Sequence, residues 1–491
     1  MELIGMTEMN SRLQVPCARP VEMGLEATRG ASWMNTDQIR AAQPAQQPAS
    51  HCSGLMQARH RMLATNQWTP SQFMGRRWPI GCVALEITQR CNLDCTACYL
   101  SENSELVKDL PLDEIFRRIE MIFAHYGPNT DVQVTGGDPT LRKRAELVEI
   151  VRRLRQKGMR PSLVTNGIRA KRDLLQELSQ AGLVDVVFHV DMTQERKGFD
   201  SEMALNVIRQ EYIERARGLR LSIMFNTTVF DGNFEEVPDI VAFFVRNADV
   251  VRFASFQLQA DTGRGTLGQR DARLRISSLK QRIAVGARRT LSFDTAHIGH
   301  SDCNRYAMAL VVNGRVYDAL DDQSLFDRTL QQTAHLQFDR QSRFAAVMTL
   351  ARGMLGSPSL ALAAIVWLAR KIWEAKTDIF LARGRVHKLS FFIHDFMDSC
   401  RLDSDRVDAC VFSAMTASGP ICMCLHNAKR DAFILEPVRS GGPIKERYWN
   451  PGSGNTTDRP ERIFALDDPQ RKDKPRGRGR LLQRRANAQP N

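Results

Sequence analysis

The chain has 491 residues, enough for two or three domains, and its 43% hydrophobic content suffices for a large buried core. Its eleven cysteines are grouped by motif rather than spread evenly, which excludes a disulfide scaffold and favours metal binding in a reducing compartment. Residues 471–491 hold eight Lys or Arg against one Asp, so this short segment carries +7 of the formal net charge of +13. The rest is only mildly basic, and a nucleic-acid partner is not expected.

Both ends of the chain have compositions typical of disorder. Residues 1–75 are rich in Gln, Ala, Met, Ser and Pro and show no sustained period, so we predict a disordered segment. They also lack a charged stretch followed by an apolar one, which predicts a cytoplasmic protein without an export signal. Residues 441–491 are predicted to form a disordered basic tail, with a tether to nucleic acid or to a membrane as the alternative.

Between residues 76 and 265, short β-branched runs alternate with amphipathic helical stretches. Six strands are predicted: Val83–Thr88, Asp131–Thr135, Pro161–Thr165, Val184–Val190, Leu219–Val229 and Val250–Phe256. Five helices are predicted between them: Leu112–Ala124, Leu141–Gln156, Lys171–Ala181, Ser201–Ala216 and Phe234–Arg246. Such an α/β series forms a parallel sheet with helices outside. We therefore predict a partial (β/α)6 TIM-like barrel with its reactive end at the strand C-termini.

The alternation stops after residue 265, and residues 266–440 are predicted to form a C-terminal α+β domain. A helix at Ser277–Arg289 precedes a hairpin that turns at Asn313-Gly314. The apolar run Leu360–Leu368 is too short to span a bilayer. It is interpreted either as a core helix or as an interfacial helix that admits a lipid substrate and makes the protein peripheral to a membrane.

The most specific motif is the CxxxCxxC spacing of Cys91, Cys95 and Cys98, directly after the first predicted strand. Three thiolates so spaced can each bind a different iron of a [4Fe–4S] cluster and leave the fourth iron open. An open iron can chelate the amino and carboxylate groups of S-adenosylmethionine. The alternatives are a zinc site or inert thiols, but zinc prefers four ligands and no second ligand pair lies near this loop.

With these residues, the chain resembles the radical S-adenosylmethionine (radical SAM) superfamily across about residues 80–265. A second family motif is matched by Thr135-Gly136-Gly137-Asp138-Pro139-Thr140, although the family more often has Glu where this chain has Asp138. The resemblance implies that free backbone groups of the glycines bind the methionine ammonium of the cofactor. It further implies cofactor contacts from strand ends, at Asp138, Asn166, Asn226, Thr228 and Arg264, and an electron donor such as flavodoxin or ferredoxin.

The C-terminal half resembles the radical enzymes grouped with the class D methylases of pterins and the tetraether-lipid synthases. This resemblance implies a second, accessory iron–sulfur site built from Cys303, Cys410, Cys422 and Cys424, which makes residues 266–440 an iron–sulfur-type extension. A structural zinc or a set of unliganded thiols remains open, because the spacing does not decide between them.

The expected function is therefore reductive cleavage of S-adenosylmethionine at a [4Fe–4S] cluster, with the 5′-deoxyadenosyl radical modifying an unactivated C–H bond. C–C coupling or methylation of a lipid, a pterin-like compound or another apolar substrate is favoured by the subgroup resemblance. Two alternatives stay open: a radical SAM enzyme of peptide maturation, and a non-catalytic iron–sulfur or zinc protein that binds nucleic acid.

Overall fold

The computed structural model describes residues 32–47, 53–262, 274–340, 342–440 and 446–461. Eleven strands form one sheet: β1 Cys82–Thr88, β2 Asp131–Gly136, β3 Arg160–Thr165, β4 Asp185–His189, β5 Ser222–Val229, β6 Val251–Leu258, β7 Asn304–Val312, β8 Arg315–Asp318, β9 His387–Asp395, β10 Phe412–Thr416 and β11 Gly419–Cys422. Three more form a small second sheet: β12 Val438–Ser440, β13 Arg447–Trp449 and β14 Thr456–Thr457.

The helices of the described residues are α1 Thr36–Ala41, α2 Gly54–Ala64, α3 Leu112–Tyr126, α4 Arg144–Gln156, α5 Arg172–Ala181, α6 Glu202–Ala216, α7 Val237–Arg246, α8 Ile276–Ala287, α9 Gln323–Gln332, α10 Arg343–Leu355, α11 Pro358–Leu381, α12 Ser404–Asp408, α13 Met423–Ala428 and α14 Arg430–Ile434. Short 3₁₀ turns lie at Glu102–Leu106, Pro139–Leu141, Met192–Gln194 and Phe234–Glu236. None of the described helices is both long and apolar enough to cross a bilayer.

Strands β1 to β6 are parallel neighbours in chain order and are connected by α3 to α7, which confirms the predicted six-unit barrel. Each residue of β1 is buried, as expected for a strand covered by helices on one face and by the barrel interior on the other. The helices bury one apolar side against the sheet, as α4 does with Leu147, Ile150 and Leu154. Local hydrophobic periodicity therefore accounts for this part of the fold.

Two strands from the C-terminal half extend the parallel run to eight. Strand β9 pairs with β6, and β10 pairs with β1 at the opposite edge. Side chains at the ends of β9 and β10 contact each other, with the ring centroids of His394 and Phe412 4.6 Å apart. The hydrogen-bonded order nevertheless ends at β11 and β8, so the barrel is not closed. The expectation of a separate domain at 266–440 is thus wrong for β7 to β11, which belong to the barrel sheet.

The predicted disorder of residues 1–75 is wrong for the part that the structure describes. Helix α2 buries Met62, which packs with Met74 against Ala409 and Val411. The side chain of Gln72 is fully buried and bonds to the backbone of Gly299. Contacts with distant residues therefore order a segment whose own composition favours disorder. The basic tail is likewise structured at β13 and β14, while residues 1–31, 48–52, 441–445 and 462–491 lie outside the described residues.

Candidate active site

A cavity of about 240 Å³ lies at the C-terminal ends of the barrel strands, where the sequence predicts the reactive end. Cys91, Cys95 and Cys98 all line it, and all three thiols are partly exposed. Burial and the neighbouring sulfurs of Cys98 and Cys91 raise the pKa of the Cys95 thiol well above its ordinary value. The loop therefore concentrates three thiols at one wall of the cavity.

The glycine pair at the end of β2 packs against the backbone that leads into the cysteine loop. Gly136 has a φ of +126°, and a Cβ there would lie 2.0 Å from the carbonyl oxygen of Thr88. A Cβ on Gly137 would lie 1.9 Å from the carbonyl oxygen of Arg90. Both glycines line the cavity, but the Gly137 N–H donates to Thr88 at 2.9 Å. This N–H therefore positions the cysteine loop, and binding of the methionine ammonium by free backbone groups of the glycines stays a prediction.

Asp138 is buried in the wall between β2 and β3 and is not among the cavity-lining residues. Its carboxylate accepts hydrogen bonds from the Thr140 N–H at 3.0 Å, the Thr165 hydroxyl at 2.8 Å and the Asn166 N–H at 2.9 Å. These bonds all lie within the wall, and contact of Asp138 with the cofactor stays a prediction. The carboxylate joins the ends of two strands and positions Asn166.

Asn166, Asn226 and Thr228 all line the cavity, as expected from their places at strand ends. The Asn166 side chain donates to Asn92 in the cysteine loop at 2.7 Å. The side-chain oxygen of Asn226 is buried and has no hydrogen-bond partner among the described residues, and the same holds for Asn427, which also lines the cavity. An unpaired buried carbonyl costs about 1–3 kcal/mol, so both oxygens suit a ligand that brings N–H or O–H donors.

Arg264 lies outside the described residues, so its predicted cofactor contact stays a prediction. Thr262, two residues earlier, lines the cavity and donates its hydroxyl to the Cys98 carbonyl at 3.3 Å. The strand end that leads to Arg264 therefore reaches the cysteine loop.

A partly buried histidine–carboxylate pair at the end of β4 was not predicted from the sequence. His189 lines the cavity, and its Nε2 lies 2.7 Å from Asp191 Oδ2. Burial by itself lowers the pKa of His189, but the Asp191 carboxylate outweighs it and raises the pKa above its ordinary value. The other ring nitrogen lies 3.5 Å from the amide of Asn226. The signal in the sequence is His-Val-Asp at the end of a predicted strand.

The C-terminal half reaches the same cavity through a second buried pair. Arg430, which is fully buried, forms an ion pair with Glu86 on β1 and lies with its guanidinium 4.7 Å from the ring centre of Tyr99. Tyr99 follows Cys98 directly and donates its hydroxyl to the Gly136 carbonyl at 2.8 Å. Residues separated by more than three hundred positions thus support the cysteine loop together.

The structure brings the four other predicted cysteines together beside the main cavity. A hydrogen bond with Cys422 lowers the pKa of Cys410 to about 7, and Cys422 also bonds with Cys424. Cys303, Cys410 and Cys424 line a cavity of about 20 Å³. The Cys303 sulfur accepts a hydrogen bond from Arg406 Nε at 3.2 Å, and burial raises its pKa to about 12. We call this group the four-cysteine cluster.

Four side chains line both cavities and so separate the four-cysteine cluster from the CxxxCxxC loop: His394, Phe396, Met397 and Phe412. In the part of the chain that the structure describes, no group of three or more His, Cys, Asp or Glu is arranged to hold a single metal ion. A cubane cluster has a different requirement, because each of its thiolates binds a separate iron.

Residues 85–244 match the family model of the radical SAM superfamily. The chain therefore contains a radical SAM domain, a family that implies a [4Fe–4S] cluster and S-adenosylmethionine. The donor set fits both, with three thiols on one loop and two unpaired buried carbonyl oxygens on residues that line the same cavity.

Three relatives illustrate the range of the family. The chain is 32% identical to 7,8-dihydro-6-hydroxymethylpterin dimethyltransferase of Methanocaldococcus jannaschii, over 37% of this chain and 36% of that protein. It is 33% identical to a probable GTP 3′,8-cyclase of Pyrococcus abyssi, over 34% and 53%. It is 32% identical to PqqA peptide cyclase of Bradyrhizobium diazoefficiens, over 36% and 46%. The chain thus spans about a third to a half of the length of these relatives.

Similar solved structures include anSMEcpe with bound AdoMet and the Kp18Cys peptide, at a TM-score of 0.33 and 16% identity over 41% of this chain and 57% of that one. Another is HydG, a maturase of the [FeFe]-hydrogenase, at a TM-score of 0.34 and 11% identity over 46% and 53%. Both TM-scores are below 0.5, so the family assignment rests on the sequence match.

Proposed function

We propose that the protein is an enzyme that binds a [4Fe–4S] cluster at Cys91, Cys95 and Cys98 and cleaves S-adenosylmethionine reductively. The observation that carries the proposal is the placement of all three thiols on the wall of one cavity at the barrel's reactive end. When bound, the cluster and its cofactor supply a carbon-centred radical that removes hydrogen from an unactivated C–H bond.

The protein's own residues would position the reactants and exclude water. Asn166 and Thr262 bond to the cysteine loop from β3 and from the segment after β6, which restricts the loop's position. The unpaired oxygens of Asn226 and Asn427 would accept hydrogen bonds from the ammonium and hydroxyl groups of S-adenosylmethionine. Hydrogen bonds from these donors to the two asparagine oxygens would favour one orientation of the cofactor over others.

We propose an apolar substrate that reacts by C–C coupling or methylation. Three apolar side chains from the C-terminal half, Phe396, Met397 and Phe412, line the cavity on the side of the four-cysteine cluster. Such a wall favours a lipid chain or the ring of a pterin-like compound, and the similarity to a pterin dimethyltransferase supports the latter class. Peptide maturation is the second candidate, supported by the similarity to PqqA peptide cyclase.

The cleavage activity can be tested after anaerobic reconstitution with iron and sulfide. Replacing Cys91, Cys95 and Cys98 together by Ala should abolish formation of 5′-deoxyadenosine from S-adenosylmethionine with dithionite as reductant. Cys82→Ala is the matched control, because Cys82 is a buried thiol of β1 outside the motif and should be dispensable. Cleavage by the triple variant would refute the proposal.

The four-cysteine cluster would hold an accessory [4Fe–4S] cluster. Reconstituted wild-type protein should then contain about eight irons, and a variant with Cys303, Cys410, Cys422 and Cys424 replaced by Ala about four. Iron and zinc are both measured, since zinc bound in place of the second cluster would identify a structural site. A wild-type value of about four irons would contradict the accessory cluster and leave the first site intact.

The electron donor would dock on a basic groove of about 690 Å³ formed by the loops that follow β1, β2 and β3. Arg90, which precedes Cys91, lines this groove, as do Lys143, Arg169 and Lys171. An acidic redox protein such as flavodoxin or ferredoxin would be attracted to this surface and placed beside the cysteine loop.

Charge reversal in the basic groove distinguishes docking of the electron donor from cleavage of S-adenosylmethionine. The variant K143E/R169E/K171E should lower 5′-deoxyadenosine formation about tenfold or more with reduced flavodoxin while activity with dithionite is unchanged. The matched control R220E/R246E changes exposed cations at the opposite, N-terminal end of the strands. Equal activity of both variants with flavodoxin would place the donor elsewhere.

A further inference from the structure

Helix α11 buries two charged side chains against the protein and exposes most of its large apolar side chains to solvent. Its buried face includes Lys371, which bonds to Asp321 at 2.6 Å, and Asp378, which accepts hydrogen bonds from Tyr317 and Asn313. The buried face of a surface helix is usually apolar. In α11, these bonds satisfy the charged groups that the buried face carries instead. The helix is therefore fixed in this orientation by specific bonds.

The opposite face of α11 carries large apolar side chains over its whole length, at spacings of about one or two helical turns. We call them the outer stripe: Leu362, Ile365, Val366, Ile372, Trp373 and Phe380, each between 51% and 83% exposed. Phe344 and Val347 of the preceding helix α10 are also exposed, at 77% and 63%. Contiguous exposed apolar surface of this kind marks an interaction site rather than an ordinary protein surface.

Basic residues surround the outer stripe. Residues 343–385 contain seven Lys or Arg but only two acidic residues. Arg352, Lys376, Arg383 and Arg385 are exposed, and the Lys376 ammonium lies 3.4 Å from the ring centre of Trp373. Trp beside cations suits the boundary between acyl chains and negatively charged headgroups.

We propose that α10 and α11 attach the protein to the surface of an anionic lipid bilayer, with the outer stripe among the acyl chains and the flanking cations on the headgroup phosphates. Charge complementarity selects this occupant. A symmetric dimer through the same face would bring one basic surface against its copy, which like charges oppose. Because only one face of α11 is free, the attachment is to the interface of the bilayer and does not span it.

The proposal does not rest on the radical chemistry, and vesicle binding tests it without cofactors. Full-length protein is sedimented with vesicles of phosphatidylcholine that contain phosphatidylglycerol, and with vesicles of phosphatidylcholine alone. Binding is expected to the anionic vesicles, weakening as salt is raised. Absence of binding, or equal binding to both kinds of vesicle, would overturn the proposal.

The variant I365Q/I372Q/W373Q removes three side chains of the outer stripe without touching the buried face. It should bind the anionic vesicles about tenfold more weakly or worse. The matched control M203Q/V207Q/V285Q replaces exposed apolar residues elsewhere, which are 53%, 69% and 62% exposed, and should bind as wild type does. Both variants should melt as wild type does, because all six positions are exposed.

Two further outcomes would contradict the proposal that the outer stripe binds the bilayer. If the stripe variant keeps its affinity for the vesicles, the basic residues 471–491 or another surface carry the binding and the proposal fails. It also fails if light scattering shows a wild-type dimer that the stripe variant dissociates while neither binds vesicles, because the stripe is then covered by a second copy.

Discussion

At the scale of single residues, two ionisable pairs, one fully and one partly buried, support the wall of the cavity. Glu86 and Arg430 join the first strand to the C-terminal half, while His189 and Asp191 lie at the end of β4. A buried charge is tolerated only when its partner is present, so each pair makes its wall of the cavity dependent on a specific contact.

Arg430→Met should destabilise the protein by about 3–5 kcal/mol, because it leaves the Glu86 carboxylate buried without its guanidinium. Urea unfolding at neutral pH measures the loss. Arg439→Met is the control, since Arg439 and Glu446 form an exposed pair at 2.6 Å whose removal should cost at most about 1 kcal/mol. Similar losses of unfolding free energy in both variants would show that the buried pair stabilises the protein no more than the exposed pair does.

The Glu86–Arg430 pair predicts that the free energy of unfolding depends on pH. Burial raises the pKa of Glu86, but Arg430 and His426 outweigh it and hold the pKa below the ordinary 4.5. A carboxylate with a lowered folded-state pKa contributes stability that is present above 4.5 and is lost as pH falls through the folded value. The difference in unfolding free energy between wild type and Glu86→Gln should therefore shrink below pH 4.5, and a constant difference would contradict this cause.

His189 should titrate above its ordinary pKa of 6.5, because the Asp191 carboxylate outweighs the effect of burial. The stability that its charge contributes is full below 6.5 and is lost as pH rises through the folded value. Carbon-13 shifts of the imidazole rings report the titration. His394, which lines the same cavity, is the internal control, since burial lowers its pKa to about 3. Titration of His189 at or below 6.5 would disprove the pairing.

At the scale of elements, the loops that follow β1 and β2 form one unit. The glycine pair after β2 touches the backbone of Thr88 and Arg90, and the next loop is joined to it through Asp138. The sequence motif of the three cysteines is therefore only part of what places the thiols.

Gly136→Ala should cost at least about 3 kcal/mol, because a methyl group would meet the Thr88 carbonyl oxygen 2.0 Å away in a backbone conformation that already favours glycine. Gly314→Ala in the Asn313-Gly314 turn is the control: its φ is +75°, but no atom lies within 4 Å of the added Cβ, so the cost should be about 1 kcal/mol. Urea unfolding compares the two, and iron uptake by the folded fraction reports whether the cysteine loop is displaced. Equal costs would mean that contact with Thr88 is unimportant.

At the scale of the whole molecule, segments far apart in sequence complete one sheet and one core. The segment before β1 and the segment around β10 pack together through Met62, Met74 and Val411. Residues that composition alone assigns to a disordered N-terminus thus belong to the folded structure.

Met62→Ala should destabilise the protein by about 2–5 kcal/mol, since Met62 is 1% exposed and its removal leaves a cavity. Met56→Ala on the same helix is the control, because Met56 is 48% exposed and should change stability by less than about 0.5 kcal/mol. Thermal unfolding distinguishes the two. A neutral Met62→Ala would show that this helix does not contribute to the core.

Features that depend on neighbours along the chain could be predicted from the sequence. The six barrel units follow from hydrophobic periodicity, and their observed ends lie within a few residues of the predictions. The spacing of Cys91, Cys95 and Cys98 and the Gly136-Gly137 pair are local patterns as well, and they identified the family that the comparison confirmed.

Contacts between residues that are distant in the sequence became apparent in the folded structure. Cys82 pairs with Phe412 in the sheet and Cys303 approaches Cys424, although each pair is separated by more than a hundred residues. The bond from Thr165 to Asp138 likewise joins two neighbouring strand ends. The folded structure also shows that α11 exposes its large apolar side chains. From the sequence, Leu360–Leu368 could have formed either a core helix or an interfacial helix. The physical reason is that a local pattern specifies an element and its apolar side, whereas the partner of that side is set by the burial and hydrogen bonding of the whole chain.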